Sequence, residues 1–588
     1  MQTIDGRSAK AAPLVTDVSV SDWLPAYQGD EEYGVLYVYP ESNTLTLDEL
    51  RLHRGVDLDQ WFDDTGYRWP SDTRDKLRGL IPDDEPEPLP QIQTLNVGLD
   101  EQRDLAIPAL LAMNHPPILF RRGALVTEVA ADEAGVPFAR MVTPPLMRER
   151  LSDAAVWVGK SGRVKAPADL AGLLLETQRL HLPALVSIVE HPVMGPAGTV
   201  TTHRGYDRET GTYFAPSMPM RRIRLTDEDG GPPEQVDCRI ALSWLAELME
   251  DFEFVSKADK ANVLGLMLTP ILRPIINGPV PLAAVRAVRA GTGKSLLVKA
   301  ALSVLTGRSP SPTSLGTDED EAEKRITTEM LKGTQIIYLD NIKTGRVLES
   351  SALAMALTSD TWTGRIIRYS KAPPMPIRCT WVATGNNLTM NDELARRAYL
   401  IELTSEIERP DLRDASAFHH PDLIGWVREN RAELLTSLLV LARAWSYETG
   451  MELTEGPVLA SFEEWSSVVG SVLRFAGVRD FLGNEEHKRD LIEDETNLER
   501  ANLLIRIREH MGDNVTFTIK AFHATTWTNE DVALAAIPFL DGVPWDKPEA
   551  VRKLGYAVRA FKGASFGGLK LLKVAEGREG VKFRVVAG

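Results

Sequence analysis

Apolar residues change their period several times along the 588-residue chain, and the changes divide it into segments. Short unbroken apolar runs, the pattern of strands covered on both faces, stand at 282–288, 334–339, 377–383 and 399–403. Between and around them the spacing turns helical, at 236–268, 295–305, 319–331, 351–357, 421–447 and 461–476. This alternation predicts an α/β core built on a largely parallel sheet.

The flanks differ. Residues 35–39 and 44–47 predict a strand pair, and the proline-rich acidic stretch 82–90 predicts an extended linker. Residues 92–224 mix helical patterns around 100–113 and 166–181 with strand-like pieces at 184–190 and 198–202, then a tight turn across 205–211. A second linker spans 226–233. At the far end, helical patterns at 498–510, 517–526 and 548–561 precede a hairpin whose arms are 568–574 and 581–586. Three helices followed by a two-stranded wing predict a winged helix, with 548–561 as its recognition helix. The expected domains are 1–90, an N-terminal region; 91–235, a mixed α+β accessory domain; 236–405, the α/β core with its helical lead-in; 406–490, a helical segment; and 491–588, a winged-helix domain.

Composition narrows the classes. Cysteine occurs twice, at Cys238 and Cys379, which argues against a disulfide framework or a zinc finger and fits a reducing cytoplasm. No run of eighteen apolar residues and no secretory leader is evident, so the expectation is a soluble cytoplasmic protein without a membrane partner. His181, His191 and His203 lack ligand spacing and read as structural or surface residues. The net charge of −17 argues against nucleic acid until its distribution is considered. Residues 1–90 hold 19 acidic and 8 basic side chains, whereas 545–588 hold 10 basic and 4 acidic. A basic terminal module on an acidic body can still meet a phosphate backbone.

The chemistry concentrates behind the first strand. Gly291-Thr292-Gly293-Lys294-Ser295 lies between a strand and a helix, the arrangement that cradles a phosphate. Backbone N–H groups and the helix N-terminus would receive the β-phosphate, Lys294 would reach the β- and γ-phosphates, and Ser295 would ligate magnesium. Val288 stands where the full phosphate-loop pattern wants glycine. Asp340 ends an apolar strand, where a carboxylate can hold the magnesium shell. Asn341 follows in place of a second acid, so either a base comes from elsewhere, with Glu329, Glu349 and Asp360 as candidates, or hydrolysis is slow. Asn386, with Asn387 in reserve, closes the third strand and could orient water at the γ-phosphate. Arg396 and Arg397 could reach the γ-phosphate of a neighbouring subunit.

In order and spacing, GTGKS, IIYLDN, ATGNN and DELARRAYLIEL resemble the ATPase domain of superfamily III helicases, most nearly those of phages, phage satellites and integrative elements. The resemblance is best over 237–480. It implies an AAA+ fold, a ring of six, ATP and Mg2+ at subunit interfaces and translocation on DNA. It also implies Walker A roles for Lys294 and Ser295, Walker B for Asp340, sensor 1 for Asn386 and an arginine finger at Arg396 or Arg397. In that family a hairpin before sensor 1 faces the DNA channel, which makes Arg365, Arg368 and Lys371 candidate DNA contacts here. The C-terminal module adds Arg552, Lys553, Arg559 and Lys562 on or beside its third helix, and Arg578 at the wing tip. The expected function is an ATP-dependent ring-forming DNA helicase or replication initiator of a mobile element. The alternative is a nucleotide-gated DNA-binding assembly protein that does not unwind.

Overall fold

The computed structural model describes residues 27–30, 35–38, 88–177, 179–220, 223, 225, 231–287, 291–316, 318–342, 347–364, 374–405, 418–486, 491, 495–559, 561, 565–566, 569–577 and 580–587. Within them, one compact unit falls inside Met1–Ile342, Ser350–Asn387 and Arg396–Glu485. The second falls inside Lys343–Glu349, Leu388–Ala395 and Glu486–Gly588.

A four-stranded, all-parallel sheet forms the centre of the first unit. Its strands are β1 (Leu282–Ala287), β2 (Ile336–Ile342), β3 (Thr380–Asn386) and β4 (Ala398–Leu403), in spatial order β2-β3-β1-β4. Register is continuous along β1, where Leu282 pairs with Trp381 and Ala398, and Ala287 pairs with Asn386 and Leu403. The helices of this unit include α1 (Asp237–Leu248), α2 (Lys257–Leu272), α3 (Lys294–Thr306), α4 (Glu319–Lys332), α5 (Ser351–Thr358), α6 (Leu423–Glu429), α7 (Arg431–Thr449) and α8 (Glu463–Phe475), of which α2 packs on β4 and α3 on β1 and β3. The apolar stretch 236–268 is thus two helices rather than one. The second of them begins at a capping box in which Ser256 and Asp259 each satisfy the other's backbone N–H.

Helix α2 is buried on every side from Ala261 to Leu272, as a helix in the middle of a core must be. Gly265 lets Phe481 approach, since a Cβ there would meet its ring at 2.4 Å. Trp465 of α8 packs on Tyr399 with ring centroids 5.0 Å apart and donates its Nε1 hydrogen to Thr269. Both cysteines are free and buried, and burial pushes each thiol up to about 12, which makes them inert packing groups.

The accessory region carries a helix Leu99–Met113, an antiparallel meander of Leu119–Arg122, Leu125–Ala131 and Pro137–Met141, and helices Pro144–Ala154 and Ala168–Glu176. Ser187–Val189 and Val200–Thr201 form within the expected strand-like pieces, and the 205–211 turn is a hairpin of Gly205–Asp207 with Thr212–Phe214. Buried Arg122 joins this region to the core by donating to the carbonyls of Val186, Met330 and Pro376. His191 is fully buried, and burial drives its imidazole down to about 4, so it is a neutral structural histidine; His181 and His203 are exposed. Val35–Val38 pairs antiparallel with Tyr27–Asp30, and its expected partner, 44–47, lies outside the described residues.

The second unit contains α9 (Glu495–Met511), β5 (Thr516–Thr518), α10 (Ile519–Thr526), α11 (Glu530–Ala536), α12 (Pro548–Arg559), β6 (Ser565–Phe566), β7 (Leu569–Gly577) and β8 (Gly580–Ala587). Its sheet runs β5-β8-β7-β6, with β7 and β8 as the long hairpin. Leu503, Ile507, Phe522, Val532, Leu554, Val558, Phe561 and Phe583 share one core, so the hairpin and the helices form a single body. Among the described residues, no helix is long and apolar enough to cross a membrane.

Candidate functional site

At the C-terminal edge of the parallel sheet the chain leaves β1 and returns into α3 through Gly291, Thr292 and Gly293. Gly291 has φ +81° and Gly293 φ +89°, conformations an L side chain resists. Gly293 also faces the Phe252 ring, where a Cβ would come within 2.9 Å of Cε1. Helix α3 begins with no side-chain cap and no acid of its own in its first turn, so its positive dipole end is not capped from within the helix.

Lys294, the first residue of α3, is 8% exposed. Its ammonium donates to Asn386 Oδ1 at 2.5 Å and to Thr292 Oγ1 at 3.4 Å. Burial lowers its pKa, opposed by the nearby Asp340 charge. Asn386 reaches the lysine because β1 and β3 are parallel neighbours with Ala287 opposite Asn386. The next residue, Asn387, turns to φ +46° and gives its N–H to the Ala287 carbonyl, which ends the strand.

Asp340 completes the cluster. One of its oxygens accepts from Ser295 Oγ at 2.7 Å and from Thr384 Oγ1 at 2.6 Å. Burial pushes this carboxyl up, but hydrogen bonds from Thr384 and Ser295, the neighbouring Tyr338 hydroxyl and the charge of Lys299 outweigh it, and the pKa lies below the usual carboxylate value. Pairing of β2 with β3 shifts register between Leu339 and Ile342, with Asn341 at φ +57°. This bulge re-aims Asp340 at the strand tip. Thr384 holds it by also accepting the Asn341 backbone N–H at 2.9 Å. Sequence reading missed Thr384 as a site residue, although it lies two residues from Asn386 and therefore on the same face of β3.

Two of the three candidate bases separate from this cluster. Glu329 accepts from Thr334, two residues before β2 begins, and the Asp360 carbonyl accepts from Ile377 N, three residues before β3 begins. Both therefore lie toward the opposite, N-terminal edge of the sheet, too far away to serve as a base. Glu349 is exposed and follows a short strand, Val347–Leu348, paired with Thr389–Met390. Arg396 and Arg397 precede β4, where the Arg397 carbonyl accepts Leu282 N at the start of β1. They too occupy the N-terminal edge, about 20 Å along the strands from the lysine. Arg396 is exposed.

Of the hairpin before β3, the stem is described: Thr361–Trp362 pairs antiparallel with Met375–Pro376. Arg365, Arg368 and Lys371 lie outside the described residues, as do Lys562 and Arg578. On α12, Arg552 and Arg559 are exposed, with Arg559 5.4 Å over the Tyr556 ring, whereas Lys553 pairs with Asp541 at 2.7 Å.

No family model and no curated protein matches the chain. Among solved structures it is similar to the NrS-1 C-terminal region in its A-form apo structure, at 11% identity and a TM-score of 0.36 over 80% of this chain and 96% of that one. It is similar to the SCCmec type IV Cch helicase at 12% identity and 0.31, over 79% and 90% of the two chains. It is similar to the JCV helicase at 13% identity and 0.22, over 42% and 61%. Likenesses this loose decide no chemistry, and the functional reading rests on the geometry above.

Proposed function

We propose that the protein is an ATP-dependent, ring-forming DNA helicase or replication initiator, of the kind mobile elements carry, with an AAA+ core and a C-terminal winged helix. One observation carries the reading: Lys294, Asn386, Ser295 and Asp340, from three different elements, converge beside the glycine turn at the sheet edge where α/β folds hold their ligands. In this reading Lys294 and the α3 N-terminus grip the triphosphate, and Asn386 orients water at the terminal phosphate.

Ser295 and Asp340 would hold Mg2+. Their fit is chemical: a hydroxyl and a carboxylate favoured in its ionised form, already 2.7 Å apart, make a hard-oxygen pair. The ion supplies charge neutralisation on the β- and γ-phosphate oxygens. Arg396, exposed at the far sheet edge, suits delivery to a neighbour's site in a head-to-tail ring. Exposed Arg552 and Arg559 on α12 supply the phosphate contacts of the C-terminal unit.

A second reading has its own observation. Asn341, following Asp340, offers an amide where a carboxylate base would polarise water, which favours a nucleotide-gated DNA clamp over a motor. Strand displacement from a forked duplex, run with and without ATP beside a solution-mass measurement, separates the two. ATP-dependent displacement by an oligomer supports the helicase; ATP-dependent DNA retention without displacement supports the clamp.

A further inference from the structure

Away from the sheet edge, three side chains converge without any role in the reading above. Glu247 lies in the last turn of α1, and His419 and His420 lie just before α6. His420 Nε2 is 3.1 Å from Glu247 Oε1, and His419 Nε2 is 3.8 Å from the same oxygen. One candidate ligand atom from each of the three lies within 4.8 Å of the others. Glu250 Oε2, one helical turn on, stands 3.9 Å from His419 Nε2.

A zinc ion bound at about 2.0–2.2 Å by nitrogen and oxygen in a tetrahedron needs its ligands about 3.3–3.5 Å apart. The observed separations of 3.1, 3.8 and 3.9 Å bracket that edge length. Two imidazoles aimed at one carboxylate oxygen exceed what a single hydrogen bond requires.

Their aim is also supported from behind. The Asp251 carboxylate accepts the backbone N–H of His419 at 2.9 Å and of His420 at 3.2 Å, so both rings leave the chain from a clamped backbone. His420 stacks on Trp426, with centroids 4.1 Å apart and planes at 21°, and His419 meets His420 edge-on. Fixed rings with supported backbones are the preorganisation a metal site needs.

We propose that His419, His420 and Glu247, with Glu250 or water completing the shell, bind one transition-metal ion of the zinc class. Mixed imidazole and carboxylate ligands select zinc, cobalt or nickel over magnesium and calcium, which want oxygen alone. His419 is half exposed, so the ion enters from solvent. The site lies at the end of α1, beside the turn that carries Phe252 to Gly293, and an ion there ties residues 418–420 to that turn.

The test is a titration of chelator-treated full-length protein with Co2+ at pH 7.5, read by visible ligand-field absorption and by calorimetry. One equivalent should bind, be displaced by Zn2+ and persist in Ser295→Ala, which separates it from the nucleotide site. His420→Ala should abolish the absorption, and Asp251→Ala should weaken binding by about tenfold or more. Should His420→Ala fail to fold, Glu247→Gln, which keeps the side-chain shape, is read in the same way. Absence of uptake in the wild type, or equal absorption in the wild type and the folded ligand variant, overturns the site.

Discussion

Ser295 and Asp340 stand hydroxyl to carboxylate at 2.7 Å, although 45 residues separate them in the chain. The same carboxylate oxygen also accepts from Thr384, and its pKa is held below the usual value despite burial. A carboxyl depressed in the folded state contributes its stabilisation above the unfolded pKa and loses it as pH falls through the folded pKa. Thr384→Val removes one donor and raises the folded pKa. The acid limb of ATP turnover should therefore move toward neutral pH, with about 1 kcal/mol of stability lost. A pH–rate profile checks this, and an unmoved acid limb would show that the threonine does not tune Asp340.

Much of this site was legible because its parts are local. The unbroken apolar runs marked all four strands, and in an open parallel sheet the residues that end β2 and β3 gather at the edge where β1 turns into α3. What was not legible depends on contacts without a local signature. The bulge that re-aims Asp340 uses Asn341 at a positive φ, which needs no glycine to announce it. The accessory meander, which the apolar spacing did not mark, carries Arg121, Arg122, Glu128 and Arg140. Arg122 is nonetheless buried, because its guanidinium satisfies a carbonyl 208 residues away. Phe252 became part of the site through the space Gly293 leaves, and nothing within a few residues of either foretold the other.

That space is itself testable. Gly293→Ala forces an L residue to φ +89° and places a Cβ 2.9 Å from the Phe252 ring. The left-handed backbone alone costs about 1–2 kcal/mol. Titration with a fluorescent ATP analogue should show affinity falling by about tenfold. Adding Phe252→Ala relieves the contact and leaves the backbone strain, so the double variant should recover only part of the loss. Full recovery would mean that the ring, not the turn, sets the affinity.

The buried network behind the sheet predicts a larger effect on stability. Asp259 is fully buried, with Oδ2 accepting from Ser256 N and Oγ, and Oδ1 accepting from Glu402 N and Asn484 Nδ2. Asp259→Ala strands these donors without water and should cost about 3 kcal/mol. Chemical denaturation followed by tryptophan fluorescence checks this, since Trp465 lies in the same unit. A loss below about 1 kcal/mol would mean that the network rearranges around the gap.

The position of Arg396 makes the sharpest demand on the proposed ring. It stands at the N-terminal edge of the sheet and Lys294 at the C-terminal edge, so one subunit cannot bring its own arginine to its own lysine. If the arginine acts, it acts on a neighbour. Arg396→Ala should then keep nucleotide affinity and lose turnover, whereas Lys294→Ala should lose both. Mixed together, the two inactive variants should regain ATPase activity. At a seam where an Arg396→Ala subunit supplies the lysine and a Lys294→Ala subunit supplies the arginine, every group is present. Activity should rise with the fraction of such seams and peak near equal mixing. A mixture as inactive as its parts, in a sample shown by solution mass to co-assemble, would remove Arg396 from the site while leaving the lysine, asparagine and carboxylate cluster as it stands.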